Sequence, residues 1–216
     1  MDISFHLMKP DNMVWTKGLK SILGKEIVVL KTKVSDGVFE INLLKHVVDY
    51  LSRTDSKIEN IQKFSILSWI YKLSETVEWF ELLELTSDGE SFVSGCEYSY
   101  GLISSQKGVC EHLKVAPKFA RTDQMVALTD DVLNGVHNID AVRYLAPEHM
   151  SGWWITSDNY DGNVSSLKTV HMGHVLAVRE DLRPFLALPP GYRIRVEDEV
   201  DVWLDPDVLD EGESIT

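Results

Sequence analysis

Two short stretches, read together, restrict what this chain can fold into more than anything else in it. The first is Ser151-Gly152-Trp153-Trp154-Ile155-Thr156-Ser157-Asp158; the second, further on, is Leu186-Ala187-Leu188-Pro189-Pro190-Gly191-Tyr192. Neighbouring side chains on a strand point to opposite sides, so Trp153 and Trp154 cannot share a face. One of the pair enters a core, and the other faces outward or lies beneath another part of the chain. Two successive prolines fix φ and remove two N–H donors, while glycine admits a left-handed turn, so Pro189-Pro190-Gly191 forces the chain round. An aromatic strand ending in an acidic turn, then a helix running into a rigid corner, outlines a small α+β unit.

The flanking segments fill in that outline. Gln124 to Thr129 predicts a strand ended by Asp130-Asp131, and Asn134-Gly135 a turn. Ile139 to Leu145 predicts a second strand closed by Ala146-Pro147, Ser151 to Ser157 a third, and Asp158 to Asn163 a polar loop. Val170, His174, Val178, Leu182 and Phe185 fall near one stripe, which predicts a largely helical stretch from Val170 to Leu188, broken near Pro184. Tyr192 to Val196 and Val200 to Leu204 alternate in character and predict two more strands around Asp198. The order β-β-β-α-β-β implies a mostly antiparallel sheet with a helix on one face.

The first half also reads as mixed α and β. Asp11 or Asn12 can cap a helix through Val14, Trp15, Leu19, Ile22 and Leu23, which Gly24 would end. Glu26 to Lys33 predicts a buried strand. Asp36-Gly37 opens a second helix with Phe39, Leu43, Val47, Tyr50 and Leu51 on one face and Glu40 mostly elsewhere. Lys57 to Leu73 fits a helix slightly better than a strand. Val77 to Leu85 precedes the turn Ser87-Asp88-Gly89, after which Ser91 to Leu102 pairs back as a hairpin, with Gly95 and Gly101 as bulges.

Charge divides the chain. Of 216 residues, positions 1–116 carry 13 Lys+Arg against 16 Asp+Glu, and positions 117–216 carry 8 against 18, with no basic residue after Arg195. The bases change from mostly lysine to mostly arginine near Val115-Ala116-Pro117-Lys118. We therefore expect two small α+β domains, 1–116 and 117–216, a length and hydrophobic fraction (44%) adequate for two cores. A net charge of −13 disfavours nucleic acid as a partner and suits a protein with a basic surface. The acidic end, Glu197 to Glu213, reads as a solvated tail or, less readily, as a phosphate mimic toward a basic nuclease. No apolar run is long enough to cross a membrane, and the N-terminus lacks the order of a signal peptide, so the expected location is cytoplasmic.

Catalytic signatures are sparse. There is no Gly-x-Ser-x-Gly elbow, phosphate-binding loop or dinucleotide glycine motif. Ser104-Ser105 and Cys110 have no evident base, and Cys110-Glu111-His112 has no second metal-spaced pair. Cys96 and Cys110 are expected as free structural thiols. His171 and His174, at i and i+3 of the expected helix, form a weak metal candidate that needs a third ligand from Asp158, Asp161 or Glu180. No cofactor is expected, and no enzyme.

Thr129 to Gly135, Val142-Arg143-Tyr144, Ser151-Gly152-Trp153 and Pro184 through Gly191, in that order and spacing, resemble the type 33 immunity protein class of bacterial polymorphic toxin systems (domain of unknown function 2185) over about residues 120–205. This chain departs from the class in placing Arg143 before Tyr144, and Thr156-Ser157-Asp158 where Gly-Asp-Glu is usual. The resemblance implies an antidote that binds a co-produced toxin and covers its active site or an essential surface without catalysis. It also implies that Trp153 is the core tryptophan. Trp154, Asp158, Tyr160, Asp161, Glu197, Asp198 and Glu199 become the expected toxin contacts. The same acidic surface would serve an adaptor or an effector-holding chaperone.

Overall fold

The computed structural model describes residues 3–8, 12–53 and 63–211, and the chain divides into two compact units, Met1–Gly101 and Leu102–Thr216. Both are α+β, as the patterning predicts. The composition change near 116/117 falls beyond this division, after the helix that crosses it.

In the first unit, β1 (Ser4–Met8), β2 (Met13–Lys17), β3 (Glu26–Leu30), β4 (Phe64–Ile66), β5 (Trp69–Glu75) and β6 (Trp79–Leu85) form a sheet in the order β1-β2-β3-β6-β5-β4, with β7 (Phe92–Ser94) also on β6. All pairs are antiparallel except β3 with β6. The helix expected from Asp11 or Asn12 is instead β2, in which Val14 and Thr16 are buried between two neighbouring strands. Only α1 (Lys20–Leu23) is helical there, ended by left-handed Gly24 and begun where the Glu26 carboxylate accepts from the N–H groups of Gly18, Leu19 and Lys20. The 57–73 stretch is a β4–β5 hairpin turning at Leu67 rather than a helix, with Phe64, Ile66, Trp69, Tyr71 and Leu73 buried in alternation; its residues up to 62 lie outside the described residues.

Helix α2 (Val38–Arg53) lies where expected, its start capped by Asp36 Oδ1 accepting from the Val38 N–H. Glu40, however, is fully buried: its carboxylate accepts from Thr32 N–H (2.8 Å) and Ser35 Oγ (2.6 Å), and the Cys96 thiol lies 3.8 Å away. The hairpin after β6 is limited to β7. Glu97–His112 is then α3, so Gly101 sits in a helix and not in a bulge. Glu84 caps α3 by accepting from Tyr98 and Ser99 N–H.

The second unit is built on β8 (Met125–Leu128), β9 (Ile139–Arg143), β10 (Met150–Ser157), β11 (Lys168–His171), β12 (Tyr192–Val196) and β13 (Val200–Leu204), ordered β11-β8-β10-β9-β12-β13. Only β8 and β10 are parallel. The long helix expected from Val170 to Leu188 is replaced by edge strand β11, the short α4 (Met172–Val178) and a 3-10 turn at Arg183–Phe185. Val170 lies opposite Val126, because the free side of β8 takes a strand partner in preference to another helical turn. Part of the expected acidic tail is ordered as β13 and α5 (Asp207–Glu211).

The covered face of this sheet is held by an arginine. Trp153 is fully buried, and its indole N–H donates to Leu186 O at 3.1 Å. Arg143, 1% exposed, stands 5.6 Å from that ring and donates to main-chain carbonyls of Ser151 (3.0 Å), Lys118 (2.6 Å) and Leu188 (2.5 Å). The Ser-Gly-Trp stretch is accounted for residue by residue. Ser151 Oγ donates to Met125 O; Gly152, at φ +81°, forms a bulge whose carbonyl accepts from Tyr144 N–H; Trp153 fills the core. At the Pro-Pro-Gly corner, Gly191 (φ +93°) donates to Arg143 O at 2.7 Å and accepts from Asp205 N–H at 2.8 Å.

Candidate functional site

Strand alternation leaves the other face of this sheet open. Residues directly opposite each other share a face, so register lines up Ala127, Trp154, Val142, Arg193 and Trp203 in one row. Thr156, Asp140, Arg195 and Asp201 form the next. Ala127 is buried beneath its neighbours; Trp154, Val142, Thr156 and both arginines are half-buried; Asp140, Asp201 and Trp203 are exposed. Trp154 packs edge-on against Tyr144, with ring centroids 5.7 Å apart at 72°. This is a tryptophan, tyrosine and arginine surface of the kind that dominates binding energy at protein interfaces.

One corner of that face is acidic, and Arg195 organises it. Its guanidinium pairs with Asp140, donates to Asp158 Oδ1 at 2.9 Å, and donates to Glu197 Oε1 at 2.8 Å. Three carboxylates around one cation leave net negative charge, and the Glu197 carboxylate, with Asp140 and Asp158, holds the guanidinium protonated more firmly than usual. Asp158 Oδ2 also accepts from the Asn138 amide at 2.6 Å; that bond, aided by Arg195, holds its carboxyl below the ordinary aspartate value. Asp198 projects beside it, fully exposed, 3.7 Å from His137.

The structure therefore joins Asp158 and Glu197, expected as contacts from two separate segments of the sequence, through Arg195, which the sequence pattern alone does not mark. Asp198 and Glu199 lie in the adjoining turn, where Glu197 N–H donates to Glu199 O. Asp161 belongs to its own loop instead, accepting from Asn163 N–H and Ser166 Oγ, both at 2.9 Å. Tyr160 is half-buried in the same loop, its N–H donating to Ser157 O. Trp154 faces outward and Trp153 inward. Arg195, Asp140, Arg193 and Trp203 were missed, although the alternation of Tyr-Arg-Ile-Arg-Val already sets both arginines opposite Ile194.

His171 and His174 do not share a helix. His171 ends β11 and His174 lies in the first turn of α4, both exposed, with ring centroids 6.3 Å apart. Among the described residues no group of three or more His, Cys, Asp or Glu is placed to hold a metal ion. Cys96 and Cys110 are buried and unpaired. Burial, reinforced by Glu40 and Glu84, raises the Cys96 thiol's pKa far out of the range of a reactive thiolate. Among the described residues no helix is long and apolar enough to cross a membrane.

Comparison with known proteins agrees with the ordered motifs. Residues 105–205 match the Imm33-like domain, an immunity protein 33-like family, so the second unit carries a domain of the expected type 33 immunity class. The match begins inside α3, ahead of the stretch on which the resemblance rested. No curated protein and no solved structure matches the chain.

Proposed function

We propose that this protein is an immunity protein that binds a cognate bacterial toxin and neutralises it by covering its active site or an essential surface. The observation that carries the reading is an Imm33-like domain whose sheet keeps one face open, with tryptophan, tyrosine and arginine at its centre and an acidic corner beside them. Large rigid side chains bury area at little entropic cost, and a charged rim steers a partner of opposite sign. The partner we propose is accordingly a toxin with a basic surface, met by Trp154, Asp158, Tyr160, Glu197, Asp198 and Glu199, with Asp161 shaping the loop. No catalytic step is needed, no cofactor enters the proposal, and neither nucleic acid nor membrane is invoked. The two unpaired thiols support a reducing cytoplasm as the place of action.

The test is co-expression with the toxin encoded beside this chain. Cells making that toxin should survive only when this protein is present, and purified protein should abolish the toxin's activity at equimolar ratio. Equal survival with and without the protein would sink the proposal. A stable complex in which the toxin stays fully active would favour a holding chaperone instead.

A further inference from the structure

Strand β13 is the last strand of its sheet, and its outer side is unlike a protected edge. Three of its five residues are large exposed apolar side chains: Val200 at 40%, Trp203 at 42% and Leu204 at 52%. Natural edge strands are usually short, charged along their length, or covered, because an open apolar edge invites another strand.

The hydrogen-bonding phase of the β12–β13 ladder shows which backbone groups are free. Glu197 N–H donates to Glu199 O, and Asp205 N–H donates to Gly191 O, so both of those pairs are hydrogen-bonded ones. Bonded and non-bonded pairs alternate in an antiparallel ladder. With Tyr192 opposite Leu204 and Val196 opposite Val200, the residues bonded to β12 are Asp201 and Trp203. The N–H and C=O groups of Val200, Val202 and Leu204 point the other way, and among the described residues they have no strand partner.

We propose that this edge is where the toxin docks, adding an extended segment of its own to β13 as a further strand. The proposal rests on the immunity reading and gives it a mode of binding. Backbone bonds would supply register and affinity, and alternate side chains specificity. The toxin residue opposite Trp203 should be apolar, and the one two positions away, opposite Asp201, should be Lys or Arg.

Charge selects this occupant over a second copy of the chain. Between Glu197 and Glu211 there are eight acidic residues and no basic one. Antiparallel pairing of two β13 strands would set Glu197, Asp198 and Glu199 of one copy against Asp205 and Asp207 of the other. Parallel pairing would stack Asp201 near Asp201. Both bring like charges together. A strand flanked by Lys or Arg meets the opposite field at both ends.

The test compares wild type, Val202→Pro and Val202→Thr against the purified toxin encoded beside this chain. Proline at Val202 removes an outward N–H while leaving the ladder to β12 intact, a placement edge strands tolerate. Expected is a loss of affinity of about 100-fold or more for Val202→Pro and less than about threefold for Val202→Thr, with matching loss and retention of protection in cells. Because Val202→Pro could unfold the sheet, amide exchange on the wild-type complex supplies a second readout. Binding should newly protect the N–H groups of Val200, Val202 and Leu204, whereas those of Asp201 and Trp203 are already slow. A folded Val202→Pro that binds within twofold of wild type, or the absence of new protection at these three amides, overturns edge docking and leaves the immunity reading standing. Failure of wild type to bind or protect overturns the immunity reading itself. A wild-type dimer in sedimentation that Val202→Pro dissolves would assign the edge to a second copy and overturn the proposal.

Discussion

Arg143 in β9 and Arg195 in β12 belong to one sheet, but the first lies under its covered face and the second among the carboxylates of its open one. Arg143 is surrounded by carbonyl oxygens and the Trp153 ring, and burial pushes its pKa down to about 10. Such an ion is costly to bury and tolerable only because its donors are matched by fixed acceptors. Arg195 keeps a solvent-facing guanidinium and shares it among Asp140, Asp158 and Glu197. The same side chain thus fixes the fold in one place and moulds a charge distribution in the other. Substituting the two arginines should separate stability from recognition.

The largest effect is expected on the covered side. Arg143→Met removes the donors serving Ser151, Lys118 and Leu188, leaving buried acceptors without partners, and should cost about 3 kcal/mol or more of unfolding free energy. Arg143→Lys should recover only part of that, because an ammonium cannot reproduce the planar fork. Urea unfolding measures both. Loss of less than about 1 kcal/mol for Arg143→Met would mean that the guanidinium is not the staple of this face.

Next in size is the bulge that lets Arg143 and Trp153 sit together. Gly152 and Gly135 both have φ near +80°, so backbone strain from alanine is alike in the two. They differ in space: a Cβ on Gly152 would lie 2.3 Å from Tyr144 O, whereas one on Gly135 meets nothing within 4 Å. Gly135→Ala should therefore cost about 1 kcal/mol and Gly152→Ala about 3 kcal/mol, since a backbone carbonyl must move. Equal costs would remove close approach as the reason for glycine in the Ser-Gly-Trp stretch.

Local signals were readable, and long-range ones were not. The opposite placement of Trp153 and Trp154 follows from the two-residue period of a strand, and the Pro-Pro-Gly turn from fixed φ. By contrast, Val170, His174, Val178 and Leu182 satisfy a helical stripe, yet Lys168–His171 is drawn onto β8, distant in sequence, by a ladder that no local window contains. Phe64 to Leu73 is apolar at both periods, and the hairpin is decided by pairing with β6. Met13 to Lys17 departs from the expected helix for the same reason: its partners are β1 and β3. The acidic corner needs three contacts from Arg195 to residues 55, 37 and 2 positions away, of which only the last is local.

On the open side the effect of losing an arginine should be kinetic. Arg195→Gln leaves the melting temperature within about 2 °C, because exposed pairs stabilise little. It also unmasks the negative charge of Asp140, Asp158 and Glu197. Association with a basic toxin should then quicken about threefold at low salt, a gain that vanishes near 0.5 M salt. Unchanged association at low salt would indicate that this corner does not steer the partner.

The smallest expected effect concerns a single carboxyl. The Asn138 amide is the main influence holding Asp158 below its ordinary value of 3.8, with Arg195 adding to it. On the covered side, Asp181 is also held below 3.8, by hydrogen bonds from Arg179. A carboxyl lowered in the folded state contributes stability that is present above its unfolded pKa and lost as pH falls through the folded one. Asn138→Ala should therefore raise the titration midpoint of Asp158 toward 3.8 and leave that of Asp181 in place, both followed by carbon-13 NMR of the carboxyl groups. Stability at neutral pH should fall slightly, because the contribution of the lowered carboxyl is lost there, and the decline below about pH 4 should become correspondingly shallower. If the Asp158 midpoint stays put, Arg195 alone governs that carboxyl. If Asp181 moves as well, the covered and open faces of the sheet are electrostatically coupled, contrary to the division of labour between the two arginines.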